Sequence, residues 1–331
     1  MKRHFLQPFL ISCLIFCTYN FTLAQQPTQT TNQDFTVKLL VSVTDEKGQA
    51  VNGLTKENFS IVENKELLEI VSAEIIAEPA SILILYDGSS SMTSLYNFTD
   101  IFRLELLKFI EANLQSHEFL ITGFSSSIVQ LSDWSNNKDV LENGLEKLDS
   151  IQDSVKQQKS VKDKRTTALY DACLFALEKL ESSSNKQKII LLVTDLGDDN
   201  TSKNKFETLR KKLTKSDVTM YIVSLPHMNF GFGATAQSNL DEMAKLTGGK
   251  AFFIVTNEFD SVFQNGLKRE IPKSFESMGS LINNRYLLSF KPLNYVNDGK
   301  WHKIEAKLNK PKGLKRRFEL GYRKGYFASI K

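Results

Sequence analysis

The apolar run at the start of SILILYDGSSSM (81–92) stops at Asp87 and gives way to a turn carrying Ser89 and Ser91, in the spacing D-x-S-x-S. Such a run reads as a strand buried on both faces, and ligands of open α/β sheets bind just beyond the carboxyl ends of those strands. One carboxylate and two hydroxyl oxygens are hard donors, suited to a small divalent cation that keeps part of its water shell. Two later segments offer more oxygens. KRTTALYDA (164–172) puts Thr167 at a helix start, where its side chain can cap the helix or bind a metal, and ILLVTDLGDDN (190–200) ends a second buried run at Asp195, with Asp198 and Asp199 close behind.

Each piece alone has a plainer reading. An Asp followed by two serines is commonly a turn or a helix cap. Asp100 and Asp171 read as helix-start residues, and Asp198 and Asp199 as loop solvation or outer support around a ligand. What favours a metal is the arrangement of three separate loops, each presenting oxygen at the end of a strand or the start of a helix. Catalytic readings have less to rest on. There is no H-E-x-x-H and no paired-cysteine motif, and His117, His227 and His302 are scattered along the chain. GSSSM lacks the closing glycine of a nucleophile elbow. NFGFGATA (229–236) does not have the spacing of a phosphate-binding loop and reads as a surface loop beside the site. A binding module is therefore expected rather than an enzyme, with a metal-assisted hydrolase ranked lowest.

These loops need a scaffold, and 331 residues with 41% hydrophobic and 24% charged side chains suffice for two ordinary domains. Residues 1–24 have a basic start, an apolar stretch and the small Ala24 before Gln25, the anatomy of a cleaved secretory signal. A secreted, periplasmic or cell-surface protein is expected. A lipoprotein reading at Cys13 is disfavoured, because it would leave the apolar LIFC stretch on the mature chain. Cleavage also removes Cys17, leaving Cys173 inside TALYDACLFALEKL as a buried apolar residue with no disulfide partner. Residues 268–331 carry 16 Lys and Arg against 5 Asp and Glu within a chain of net charge +4, densest over Lys307–Arg317. Solvated strand faces explain this basic end best, with weak contact to an anionic surface as the alternative. No nucleic-acid ligand is expected.

After a polar tether at 25–33, alternation in FTVKLLVSV and the turn DEKG (45–48) predict antiparallel strands, continued by Phe59 and Ile61 and by LLEIVSAEII. From Pro79 the pattern changes to alternating strands and helices, densest over 79–260. Strands are predicted at SILILYD, HEFLITGFS, KIILLVTD, VTMYIVSL and AFFIVT, with SIVQLSDW as a short edge strand. Helices are predicted at about 99–114, 138–149, 167–182, 203–215, 238–247 and 258–283, and 152–165 reads as an exposed loop. Alternation then returns around Tyr286, Ile304 and Phe318, with NDGK (297–300) as a hairpin turn joining the first two strands. Neither end has enough strands to bury a core alone. The expected fold class is α/β, a doubly wound, mostly parallel sheet over 79–283 inserted in a small antiparallel β-sandwich built from 34–78 and 284–331.

The order of these motifs resembles the von Willebrand factor A domain, a Rossmann-like fold whose metal-ion-dependent adhesion site combines D-x-S-x-S, a threonine from a later loop and an aspartate from a later strand end. The flanking VSVTDEKGQAVNGLTKENFSIVENKELLEI, RYLLSFKP, NDGKWHKIEAKL and YRKGYFA are similar to segments of bacterial exported proteins described as von Willebrand factor A-related. The resemblance implies that Asp87, Ser89, Ser91, Thr167 and Asp195 surround one Mg²⁺, with Mn²⁺ or Ca²⁺ as variants, and leave one position open. An exposed carboxylate of a protein partner would fill it. Only two of the five residues are charged, so an ion there would still attract an external carboxylate. Two positions depart from the family pattern: Leu196 follows Asp195 where glycine is usual, and Thr166 replaces a small residue, so Asp198 can assist or replace Asp195. The alternative to an adhesion-type module is a structural component of the cell envelope, with the ion only stabilising loops.

Overall fold

Strand β5, Ala80–Asp87, is buried at all eight of its residues because it is a central strand of a six-stranded sheet covered on both faces. A computed structural model describes residues 35–76, 78–89, 92, 98–148, 150–151, 167–195, 202–225, 233–254, 260–293, 298–309 and 317–328. The expected leader, tether and 152–165 loop lie outside these residues, as do Ser91, Asp198, Asp199 and most of the basic stretch from Lys310 onward. Everything described belongs to one unit, Phe35–Lys331.

The sheet also contains β6 (His117–Phe124), β7 (Ile128–Gln130), β8 (Gln187–Asp195), β9 (Val218–Leu225) and β10 (Lys250–Phe253), in the order β10-β9-β8-β5-β6-β7. All neighbours are parallel except β6 and β7. The period of two divides the apolar run of β5 between two cores. Ile82, Ile84 and Tyr86 pack with residues of helices α1 (Phe98–Asn113), α2 (Lys138–Glu146) and α6 (Asp260–Asn283). Leu83 and Leu85 pack on the other face with α3 (Leu169–Glu181), α4 (Phe206–Lys215) and α5 (Gly233–Leu246). Fully burying each such side chain contributes about 1.5–3 kcal/mol before entropy is counted. Cys173 is buried in this second core, where desolvation raises its thiol pKa. No described helix is long and apolar enough to cross a membrane.

The two ends of the chain build the predicted sandwich. One sheet has the order β13-β1-β11-β4, from Phe318–Tyr322, Val37–Asp45, Tyr286–Phe290 and Ile70–Ile75; the other is β14-β12-β2-β3, from Gly325–Phe327, Trp301–Leu308, Phe59–Glu63 and Glu66–Leu68. Val41, Tyr286 and Leu288 of the first meet Ile61, Leu68 and Ile304 of the second in a shared core.

One predicted strand segment resolves into two strands, and two local expectations need correction. LLEIVSAEII is divided at Glu69, with β3 pairing to β2 and β4 crossing to pair with β11 in the opposite sheet. NDGK does not close a hairpin: β11 is flanked on both edges by β1 and β4, so β12 joins the other sheet, between β2 and β14. Gly233–Ala236 of the glycine-containing stretch already belong to α5.

Two arginines fasten the sandwich to the end of the parallel sheet where its strands begin. Arg285, between α6 and β11, is buried and donates to Thr219 Oγ1 at 3.0 Å and to Gln187 Oε1, while Gln187 Nε2 donates to Glu78 O at 2.7 Å. Arg323, between β13 and β14, donates to Thr214 O and Ser216 O, carbonyls left over at the end of α4. Gly248 follows α5 with φ +73°, and a Cβ there would lie 2.9 Å from Arg323 N, so the close approach of the two layers requires glycine.

Inside the sandwich, His302 bridges two carboxylates. Its Nδ1 lies 2.7 Å from Glu63 Oε1 and its Nε2 3.3 Å from Asp298 Oδ1; the ring stacks on Tyr326, whose hydroxyl donates to Glu63 Oε2 at 3.1 Å. The Glu63 hydrogen bond, aided by Asp298, raises the imidazole pKa above 6.5. A raised folded-state pKa gives stability that is complete below the unfolded value and lost as pH rises through the folded one. The melting temperature is therefore expected to fall as pH rises above 6.5, and His302→Gln should flatten that slope in calorimetric scans. A slope unchanged by the substitution would remove His302 from the account.

Candidate metal centre

The parallel pairing of β5 with β8 sets Tyr86 beside Val193, which brings the next residues, Asp87 and Thr194, to the same level at the carboxyl ends of the strands. Thr194 Oγ1 lies 2.6 Å from Asp87 Oδ2 and donates to it; the same oxygen is 2.9 Å from Asp195 O. The other oxygen, Asp87 Oδ1, accepts the backbone N–H of Ser89 at 2.9 Å and holds the first turn of the loop. Gly88 N donates to Phe124 O at 2.7 Å, and a Cβ on Gly88 would lie 2.6 Å from Ile151 Cγ2, so this loop is pressed against its neighbours.

Thr167 reaches the same region by another route. Ala168 N donates to Ser125 O at 2.7 Å, so the loop carrying Thr167 is tied to the residue after Phe124, the acceptor of the Gly88 bond. Asp171 in the first turn of α3 accepts Lys203 N at 2.8 Å, Asn204 N at 3.1 Å and Asn204 Nδ2 at 2.8 Å, and Ser202 Oγ accepts from Tyr170 N and Asp171 N. The loop that leaves β8 at Asp195 is thereby anchored at its far end beside the helix that follows Thr167.

Of the five residues expected to ligate, Asp87, Ser89 and Asp195 thus stand at one strand-end cluster, Thr167 is on the adjoining loop, and Ser91 lies outside the described residues. All four described ones are buried. Sequence reasoning missed Thr194. Its signal was a hydroxyl directly before the strand-end aspartate, but its place inside an apolar run made it read as core.

Burial raises the Asp87 carboxyl to about 7, the nearby charge of Asp195 adds to the rise, and the Thr194 and Ser89 hydrogen bonds oppose it. Among the described residues no lysine or arginine contributes to that shift. Nor do any three described His, Cys, Asp or Glu side chains cluster to hold an ion, so a site here must draw on hydroxyls and water. Two desolvated carboxylates with neutral oxygens fit a hard divalent cation rather than one needing thiolate or imidazole.

The elevated pKa carries a stability cost with a definite sign. Relative to an unfolded value of 3.8, this carboxyl's contribution is fully present below pH 3.8 and is lost as pH rises toward about 7. In chelator at pH 8, Asp87→Asn should stabilise the protein by roughly 1–4 kcal/mol in urea titrations, and the gain should shrink as pH falls. A loss of stability at pH 8 would contradict this electrostatic picture.

Comparison with curated proteins gives no match. Solved structures with related shapes include the PilB minor pilin from Streptococcus sanguinis, at 13% identity and TM-score 0.43, covering 63% of this chain and 62% of that one. BatB from Bacteroides thetaiotaomicron is 14% identical at TM-score 0.40, covering 60% of this chain and 99% of that chain. Proximal thread matrix protein 1 from the mussel byssus, with a zinc-occupied MIDAS motif, is 16% identical at TM-score 0.44, covering 66% and 49%. The chain thus spans less than two thirds of the pilin's length. The model of the von Willebrand factor type A domain matches residues 81–265, more than half of the sequence and the whole span from β5 to the start of α6, and the chain belongs to that family.

Proposed function

We propose that this protein is an exported, non-catalytic binding module that captures an acidic group of a partner protein through one divalent cation, Mg²⁺ in the first instance. Asp87, Ser89, Ser91, Thr167 and Asp195 would hold the ion, directly or through water. The observation that carries the reading is the pair of buried carboxylates at the end of β5 and β8, of which Asp87 is raised to about 7 with no cationic side chain among the described residues acting on it. A bound cation would supply the missing positive charge, and with two carboxylates and three hydroxyls it would be held without excess negative charge and with a coordination position open to an external carboxylate. The chain's own part is to orient oxygens: Thr194 fixes the rotamer of Asp87, and the Ser125–Ala168 bond fixes the threonine loop. Export rests on the leader-like residues 1–24.

Hydrolysis finds no support in the two described histidines, His227 lying outside the described residues. His117 opens β6 at the opposite end of the sheet, bonded to Ala80 N and Asn283, and His302 lies within the sandwich. Neither can act as a general base at Asp87.

Calorimetric titration with Mg²⁺ is expected to show one site whose affinity drops by about 10–100-fold in Thr194→Val, which leaves every proposed ligand in place. Capture of a partner from an extract should be lost in chelator and in Asp87→Ala. Partner capture that ignores both, but is abolished by charge reversal at Lys315, Arg316 and Arg317, would replace this reading with an envelope component that binds through its basic end.

A further inference from the structure

The two sheets of the sandwich end on consecutive strands, β3 in one and β4 in the other, joined through Glu69 alone. Among the described residues no strand pairs with the outer edge of β4. Ile76 N donates to Arg285 O, and Glu74 and Ser72 lie opposite Leu287 and Ser289 of β11. By the alternation of an antiparallel ladder, the backbone N–H and C=O groups of Ala73 and Ile75 point away from β11, to the outer edge of the sheet. The side chains here are unusual for a solvated edge: Leu67 is 71% exposed, Ile75 45% and Val71 39%. Natural edges are commonly blunted by charge, bulges or proline. This one has a bulge at Val71 and a single lysine, Lys56, whose Nζ lies 3.4 Å from Val71 O. Both devices sit at the start of the strand and leave Ser72–Ile75 regular.

Residues 70–76 read IVSAEII, nearly a palindrome about Ala73. A second copy turned by a twofold axis through Ala73 would pair antiparallel with this edge. Ala73 would then face its own counterpart and Ser72 the partner's Glu74, so that no glutamate directly opposes another; Val71 would meet the partner's Ile75 only across the bulge and with Lys56 displaced from Val71 O. Self-complementarity of this kind is what an isologous interface requires. We propose that β4 is the pairing edge of a homodimer in which the two β13-β1-β11-β4 sheets join into one continuous sheet. The contact is one short strand with a few apolar side chains, which places it among weak, reversible associations.

Sedimentation velocity across a range of concentrations should show a monomer–dimer equilibrium, present equally with Mg²⁺ and with chelator, which separates it from the metal reading. Ala73→Pro removes an outward donor while leaving the bonds from Ser72, Glu74 and Ile76 to β11 intact, and should raise the dimer Kd at least about tenfold. Register is tested separately, with Cys13 and Cys17 replaced by serine in every sample. Residues 72 and 74 of opposite copies form a close pair, Cα atoms about 4.5 Å apart, within reach of a disulfide. The double variant Ser72→Cys, Glu74→Cys should therefore cross-link on mild oxidation, and neither single variant should. A protein that stays monomeric at every concentration, a dimer unaffected by Ala73→Pro, or single variants that cross-link as well as the double one would each overturn the proposal. If Ala73→Pro does not fold, the cysteine pair decides.

Discussion

A carboxylate at the end of a strand buried on both faces has lost most of its water, and here a second carboxylate stands one strand away. Desolvation and like charge act in the same direction on Asp87, and two hydrogen bonds, from Thr194 and Ser89, only partly offset them. A fold does not keep such a pair for stability, because replacing a buried charge by a neutral group removes the penalty. The rest of the molecule serves this arrangement. Parallel pairing of β5 with β8 sets Asp87 level with Thr194 and Asp195 one residue beyond, helices on both faces keep water from the strands, and the tightly packed Gly88 loop holds the first turn in place.

The opposite end of the sheet has the opposite electrostatics. Arg285 is as deeply buried as Asp87, yet its partners are the neutral Gln187 and Thr219, and burial lowers its pKa. Arg323 uses its charge on backbone carbonyls at the end of α4, where the helix dipole is negative. Both come from the carboxyl-terminal part of the chain and both reach the strand starts. The sandwich is thus fixed at the closed end of the α/β layer, and the strand ends that carry the acids face away from it. The described contacts of the Asp87 site all come from the α/β layer, with no sandwich strand among them.

Much of this was legible in residue order. Buried parallel strands announce themselves as unbroken apolar runs, so β5, β8 and β9 were readable within a residue or two, and with them the positions of Asp87 and Asp195. The half-buried strands were readable as alternation, but their partners were not. LLEIVSAEII shows no break at Glu69, because whether a strand continues in one sheet or crosses to another depends on which edges are already occupied. The same reason defeated the NDGK hairpin, since β11 has neighbours on both sides. Thr194 was hidden because a threonine next to Ile, Leu and Val is ordinary strand composition. Only the register with β5 shows that its hydroxyl meets a carboxylate. Arg285 and Arg323 were hidden in the same way, as two more cations in a basic segment.

The edge strand and the acid pair are connected through one element. β4 runs into β5 with only residues 76–79 between them, so the outer edge of the sandwich lies beside the start of the strand whose end carries Asp87. Eight residues of strand at about 3.3 Å each separate those two points by roughly 26 Å. A second copy seated on β4 would therefore leave both strand-end sites open and would hold them in a fixed mutual geometry, because the arginine contacts and the Gly248 approach leave little freedom between sandwich and α/β layer. Two open sites held at one spacing bind a repetitive surface by raising the effective concentration of the second contact, without any change at the first. A weak edge contact would be enough for the proposed pair, since a ligand that bound both points would itself stabilise the associated form.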